Sequence, residues 1–289
     1  MIYSYGISMQ GAYHIKHDIV CQDAHYFKKI NEHFAIGAVA DGLGSEMYSD
    51  IASKIASEKS VEYCAEIIQA DTDEKSILDI IKKSFHIALD AIYEVAEQAN
   101  HDKDQYDTTL SLAVYLKGNL YYGQAGDSGI VVLNKNGTYE SVTQQQRDDN
   151  GCVFPLFFGE EKWTFGKKED VASVLLATDG MYETLFPYLL QGEETSIYVA
   201  LAQFMMSNDC LGFSQQKQVE VQKKMESFIE GIPDSQVEDD KTVLVMLDDS
   251  IEVEKMQDAY YQTPDWEKLK KKRDKEYKRA AYPHLSGED

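Results

Sequence analysis

The stretch Ala38-Val39-Ala40-Asp41-Gly42-Leu43-Gly44-Ser45 constrains this chain more than any other. The apolar run from Phe34 to Ala40 has the composition of a buried strand. It stops at one carboxylate, a Gly-x-Gly turn follows, and a helical pattern begins near Ser49. Such a strand holds the Asp41 carboxylate rigidly at the lip of a sheet. The glycines let backbone carbonyls approach whatever that carboxylate binds. Asp-Gly is also an ordinary turn pair, so the weight of the reading rests on recurrence. Val171 to Ala177 is a second buried run, and it delivers Asp179 followed by Gly180.

Taken in order, Ile2 to Ser8 alternates and predicts a first strand that ends near Gly11. A polar segment, Ala12 to Asp18, carries His14, Lys16 and His17, and Cys21-Gln22-Asp23-Ala24 leads into a short aromatic strand at Tyr26-Phe27. Helical spacing predicts a helix from Ile51 to Ile68, with Ile51, Ile55, Val61, Ala65 and Ile68 on its apolar face. A second helix, from Glu74 to Ala99, carries Ile77, Ile80, Ile81, Phe85, Ala88, Leu89, Ile92 and Val95. The runs Thr109 to Leu116, Leu120 to Gln124, Ile130 to Leu133 and Tyr139 to Val142 then predict an antiparallel meander, with Asn136-Gly137 a strong hairpin signal. Gly126-Asp127-Ser128-Gly129 sits between the second and third of these strands. Gln144 to Lys168 reads as a packed loop with one short strand. Helical segments are predicted over Tyr182 to Leu190, Ser196 to Ser207 and Gln215 to Ile229. Thr242 to Leu247 is the last strand, preceded by Glu238-Asp239-Asp240. A body of residues 1–250 is expected, followed by a charged tail, 251–289. In that tail Trp266 to Ala281 carries eight Lys or Arg residues. It predicts either a solvated helix or a docking arm for an acidic partner or a membrane surface.

The formal net charge of −22 argues against nucleic acid as a general partner, because phosphate binding needs clustered basic charge. It suits a chain that gathers divalent cations. Cys21, Cys64, Cys152 and Cys210 are far apart and form no C-x-x-C pair, which disfavours zinc and points to free thiols in a reducing cytoplasm. No basic, apolar leader and no run of transmembrane length is present, so a cytoplasmic chain without a membrane span is expected.

Asp23, Asp41, Asp127, Asp179 and Asp239 each lie beside a predicted strand end or turn, and no His-x-x-x-His or Cys pair accompanies them. All-oxygen donor sets select hard cations, Mg²⁺ or Mn²⁺, over zinc. Carboxylates that converge without metal repel each other and take up protons. A pair of divalent ions removes that penalty and makes a water acidic enough to act as a nucleophile near neutral pH. Phosphoester hydrolysis is the chemistry such a pair serves best.

At these residues the chain resembles the metal-dependent type-2C protein serine/threonine phosphatases, over roughly Tyr5 to Leu247, with wording closest to a bacterial branch. The resemblance is carried in order by Gly6-Ile-Ser-Met-Gln-Gly11, Cys21-Gln22-Asp23-Ala24, Ala40-Asp41-Gly42-Leu43-Gly44-Ser45, Thr108-Thr109-Leu110, Ala125-Gly126-Asp127-Ser128, Ala177-Thr178-Asp179-Gly180-Met181 and Asp239-Asp240-Lys241-Thr242-Val243. It implies an α+β fold, a four-layer α-β-β-α sandwich of two antiparallel sheets flanked by helices. It implies two Mn²⁺ or Mg²⁺ ions. Asp41 would bridge both and the Gly42 carbonyl would bind one. Asp179 and Asp239 would bind the other, Asp23 would act largely through water, and Asp127 would serve a third, weaker site with Asp179. The substrate would be a phosphorylated protein, with a cognate Ser/Thr kinase as the opposing enzyme.

Departures from the family pattern sharpen these expectations. The arginine that ordinarily precedes the acidic pair and holds the substrate phosphate is missing, and the first arginine in the chain is Arg147. Lys16, His14 or His17 must take that job, or it is undone, with Arg147 the next candidate if variants of those residues leave the kinetics unchanged. Asp240 stands where the family often has Asn, and it is expected to hold the loop by hydrogen bonds, as Asn could. The leading expectation is hydrolysis of phosphoserine and phosphothreonine in proteins. The alternative is a pseudophosphatase that uses the same fold as a regulatory binding module.

Overall fold

Period-two alternation sorts the strand side chains onto two faces, and both faces of both sheets are covered. The computed structural model describes residues 1–281. In chain order its first elements are β1 (Ile2–Met9), α1 (Ala12–Lys16), β2 (Asp23–Asn31), β3 (Phe34–Asp41), α2 (Ser49–Ile67) and α3 (Glu74–Ala99). Next come β4 (Leu110–Leu116), β5 (Asn119–Ala125), β6 (Gly129–Asn134), β7 (Tyr139–Ser141), β8 (Thr164–Lys168) and β9 (Val171–Ala177). The last are α4 (Asp179–Leu185), α5 (Val199–Met206), α6 (Asn208–Leu211), α7 (Gln218–Glu230), β10 (Lys241–Asp248) and α8 (Trp266–Ala281). One sheet has the order β1-β10-β9-β6-β7 and the other β2-β3-β4-β5-β8, with every pairing antiparallel. In β10, Val243, Val245 and Leu247 face α4 to α7, while Leu244 and Met246 face the other sheet. In β3, Phe34, Ile36, Ala38 and Ala40 meet α2 and α3, while Ala35 and Val39 point inward. This is the expected α+β sandwich of four layers. Gly37 of β3 lies against the Leu244 side chain, so a Cβ there would require that side chain to shift.

Four expectations need correction. The runs from Thr109 to Val142 are not one meander. β4 and β5 form a hairpin in one sheet, β6 and β7 a hairpin in the other, and the chain crosses between sheets at Gly126-Asp127-Ser128. Strand β2 is nine residues long rather than a short aromatic piece. It is an edge strand, so its side chains need not be apolar, and backbone pairing to β3 defines it. The polar segment after Gly11 forms the short helix α1, tied by the Tyr13 N–H to the Glu238 carbonyl at 2.9 Å. Helix α2 buries a stripe rotated from the expected one: Val61 and Ile68 are buried as expected, and Ile55 and Ala65 pack only partly. Ala52, Ser53, Ala56, Ser57, Ser60, Val61 and Cys64 are buried, while Ile51 is exposed. Small residues let the helix lie close to the sheet. Ser53, Ser57 and Ser60 satisfy their hydroxyls on carbonyls three residues back, at 3.1, 3.1 and 3.2 Å.

Chain beyond residue 250 is not detached from the body. Ile251, Val253, Tyr260 and Tyr261 pack on the outer core, and the Tyr260 hydroxyl accepts from the Tyr139 N–H at 2.9 Å. Helix α8 coincides with the predicted Trp266–Ala281 and buries none of its residues. Residues 282–289 of the expected tail lie outside the described residues. We therefore propose that the body ends near Gln262 rather than at 250. Truncation after Gln262 is expected to move the melting midpoint by less than about 4 °C. Truncation after Ser250 should lower it by more than about 6 °C, because four partly buried side chains are lost. Thermal unfolding of the two truncated chains checks this.

Candidate active site

Asp41 ends β3 and sits directly opposite Asp23, which begins β2. Its backbone is fixed from the start of β4. The Asp41 carbonyl accepts the Thr109 N–H at 2.8 Å and the Thr108 hydroxyl at 2.9 Å, and the Asp41 N–H donates to Thr109 Oγ1 at 2.9 Å. Thr109 Oγ1 is in turn 2.9 Å from Ser128 Oγ, just past the crossing between sheets. Gly126 makes that crossing at φ +100°, a conformation only glycine adopts readily.

From the second sheet come Asp179, the first residue of α4, and Asp239, in the loop before β10. Thr178 is the N-cap residue of α4, but its side chain bonds elsewhere. Its hydroxyl donates to the buried Asp23 carboxylate at 2.7 Å and accepts the Thr242 N–H at 3.3 Å. One side chain thus links β9 and β10 to the edge of the other sheet. Asp240 is buried and uses both oxygens, one on the Gly11 N–H and one on the Gln22 N–H, each at 2.6 Å.

Carboxylate oxygens of Asp41, Asp127 and Asp179 lie within 4.8 Å of one another. A second group, His14, Asp239 and Asp240, meets the same limit of 4.8 Å. Asp23 falls in neither group. A cavity of about 550 Å³ is lined by Asp41, Gly42, Asp127, Asp179, Asp239 and His14, among others. Lys16 is exposed on α1 and is not among its lining residues. Arg147 was expected to matter only if Lys16 and the histidines did not. It donates to Asp127 at 2.7 Å and also pairs with Asp179 at 3.1 Å and Glu183 at 3.4 Å. A tight turn presents it, in which Asp148 Oδ1 accepts the Asn150 and Cys152 N–H groups at 2.8 Å each.

So much negative charge in one place is costly. Burial lifts Asp23 and Asp41 well above the ordinary carboxylate range; the neighbouring carboxylates push Asp41 further, and a hydrogen bond from Thr178 partly offsets the rise at Asp23. Burial and the charges of Asp127 and Asp239 lift Asp179 to about 7. Asp127 is raised by burial as well, although the guanidinium of Arg147 works against it. A cluster that resists ionisation when bare and offers only oxygen donors fits hard divalent cations.

A model of the protein phosphatase 2C family matches residues 10–229. The chain belongs to the protein phosphatase 2C family, the serine/threonine phosphatases. The match takes in Asp23, Asp41, Asp127 and Asp179 and stops short of Asp239. Among solved structures, the chain is similar to the serine/threonine phosphatase Stp1 from Staphylococcus aureus, with 12% identity and a TM-score of 0.58 over 86% of this chain and 95% of that one. It is similar to the catalytic domain of the protein phosphatase PstP in complex with two manganese ions, with 17% identity and a TM-score of 0.55 over 85% and 97%. For the Mycobacterium tuberculosis phosphatase PstP/Ppp the identity is 17% and the TM-score 0.52, over 88% and 99%. No curated protein matches.

Within this 2C-family site, the sequence reading assigned no role to Thr109, Thr178 or Glu183. Thr109 and Thr178 lay inside quoted motifs, but nothing in a sequence says which hydroxyl crosses between sheets. The expectation that Asn could replace Asp240 also needs correction, since an amide offers one acceptor oxygen and two N–H groups require one each. Asp240→Asn is expected to destabilise the fold by about 1–3 kcal/mol. Asp239→Asn, at an exposed carboxylate whose charge weighs on Asp41 and Asp179, should leave the metal-free midpoint unchanged or raise it. Denaturant unfolding of both variants under chelation tests the contrast.

The raised carboxyl groups set a pH dependence with a definite sign. In the metal-free fold they hold protons that the unfolded chain has already released. Their contribution is therefore full below about pH 4 and is lost as pH rises through about 7. Asp107, also lifted to about 7, adds to the loss, but its charged neighbours are Glu46 and Asp104 rather than the cluster. The chelated protein is expected to melt progressively lower from pH 5 to pH 8. Added Mn²⁺ should recover far more stability at pH 8 than at pH 5, as read by thermal unfolding with and without the ion.

Proposed function

We propose that this chain removes phosphate from phosphoserine and phosphothreonine in proteins, using water activated at a pair of divalent ions, Mn²⁺ or Mg²⁺. The observation that carries the reading is the convergence of Asp41, Asp127 and Asp179 oxygens within 4.8 Å, at the lip between two sheets, in a chain of the 2C family. Asp41, the Gly42 carbonyl, Asp179 and Asp239 would hold the two ions, with Asp23 acting largely through water and Asp127 serving a third, weaker site beside Asp179. When bound, such a pair supplies an acidic water and neutralises charge on the phosphoryl group. The rest falls to the chain's own groups. Thr108 and Thr109 fix the Asp41 backbone, Thr178 orients Asp23, and Arg147 holds Asp127 and Asp179 in place. His14 lines the cavity and is our candidate for the substrate phosphate, with Lys16 on the same short helix supplying a cation beside it. A cognate Ser/Thr kinase and a cytoplasmic setting are part of the proposal. Among the described residues no helix is long and apolar enough to cross a membrane.

Exhaustive chelation is expected to lower hydrolysis of an aryl phosphate by at least about 100-fold, ~2.7 kcal/mol of barrier, with recovery on adding Mn²⁺. A His14→Ala/Lys16→Ala double variant should raise KM about tenfold, ~1.4 kcal/mol, and leave Mn²⁺ affinity nearly unchanged. Full activity after chelation would sink the metal assignment, and unchanged kinetics in the double variant would move the phosphate anchor elsewhere.

A further inference from the structure

A second cavity, about 1370 Å³, opens beside the catalytic one and shares Asp179, Glu238 and Asp239 with it. Its walls include Phe186, Tyr188, Leu201, Phe228, Ile232 and Trp266. Most of these come from the body, after α4 and at the end of α7. Trp266 is different, because it is the first residue of α8. The Trp266 ring packs edge-on against Tyr198 with centroids 5.1 Å apart. Two turns further along, Lys272 pairs with Glu193 at 2.6 Å, and the Arg273 guanidinium lies over the Tyr188 ring at 5.6 Å. Residues 266 and 273 are seven apart and share a helix face, so these contacts seat α8 along the edge of the groove.

The groove is apolar in its walls and acidic at the end that meets the catalytic cluster, while Lys272 and Arg273 of α8 lie along its far edge. Glu183 and Glu238 are exposed. Among the described residues its one lining cation is Arg147, already paired with Asp127, Asp179 and Glu183. A phosphorylated side chain that reaches the carboxylate cluster must bring its own backbone over the adjoining surface. This groove is contiguous with that cluster and has aromatic walls. We propose that it receives the polypeptide segment flanking the phosphorylated residue, an extended stretch bearing apolar and Arg or Lys side chains, and that Trp266 makes α8 one wall of the substrate site. The proposal rests on the phosphatase reading above. It implies that the opposing phosphoryl transfer acts on Ser or Thr beside basic residues.

The test uses the Mn²⁺-loaded full chain and its Trp266→Ala, Trp266→Phe and Tyr188→Ala variants. The substrates are 4-nitrophenyl phosphate, a phosphothreonine peptide with Arg and Leu flanks, and the same peptide with each Arg replaced by Glu. The wild type is expected to favour the basic peptide over the acidic one by about tenfold or more in kcat/KM. Trp266→Ala and Tyr188→Ala should each cost the basic peptide roughly five- to tenfold, in KM rather than kcat, and leave the aryl phosphate within about twofold. Trp266→Phe should recover most of the loss. Equal rates on the two peptides, or a parallel loss on peptide and aryl phosphate, would overturn the proposal. So would a dimer in the wild type that Trp266→Ala dissolves, since the groove would then belong to a second copy. Absence of any Mn²⁺-dependent hydrolysis would sink the phosphatase reading instead. In that case anisotropy of the labelled basic phosphopeptide decides the groove, and equal affinity for wild type and Trp266→Ala overturns it.

Discussion

Mutual repulsion among carboxylates is the constraint on which the rest of this structure depends. Asp23 and Asp41 are register partners across β2 and β3, and Asp127 and Asp179 approach Asp41 from the other sheet's side of the fold. Left to local forces, none of these groups would stay together. The packed sheets hold them, and a core in which both faces of each sheet are covered supplies the stiffness. The cluster is therefore a store of unfavourable energy, and any cation that bound it would stabilise the fold.

A few polar links span the two sheets at the carboxylate cluster. Thr178 reaches from β9 to Asp23, and Thr109 at the head of β4 meets Ser128 beside β6. Asp240 clamps the backbone at Gly11 and Gln22, which joins the loop before β10 to the approach to β2. These groups are buried and satisfied, as polar atoms at a sheet interface must be. Gly42 and Gly11 belong to the same device. A side chain at either would strike backbone, that of Ser49 for Gly42 and of Asp239 for Gly11, so both loops close onto the site only because those positions are bare.

Helix α2 shows the same logic at larger scale. Its first residue, Ser49, lies against Gly42, and its buried stripe is serine and alanine. A bulkier stripe would hold the helix off the sheet and open the loop that carries Gly42. The apolar spacing placed Val61 and Ile68 correctly and missed the serines, because apolar periodicity reports which face could be buried. It does not report how close the neighbouring backbone has come.

The sequence by itself determined the strand-end carboxylates, the two long helices near the N-terminal half, the final strand and the family motifs in order. These rest on local signals: apolar runs, 3.6-residue spacing, and Asp-Gly turns whose chemistry is set by the residues within them. Helix α3 was legible from its apolar stripe; the structure adds that Asp73 caps it at Ser76. Tertiary structure alone decided which strands share a sheet. The meander splits at Gly126-Asp127-Ser128 because strand partners are chosen by packing across the interior, and alternation reads the same in either sheet. It alone decided that Arg147, from a stretch with no clear pattern, would sit among Asp127, Asp179 and Glu183. It alone seated the basic helix α8 beside Tyr188 and Tyr198. Those contacts join residues far apart in the chain, and no local propensity encodes the distance between them.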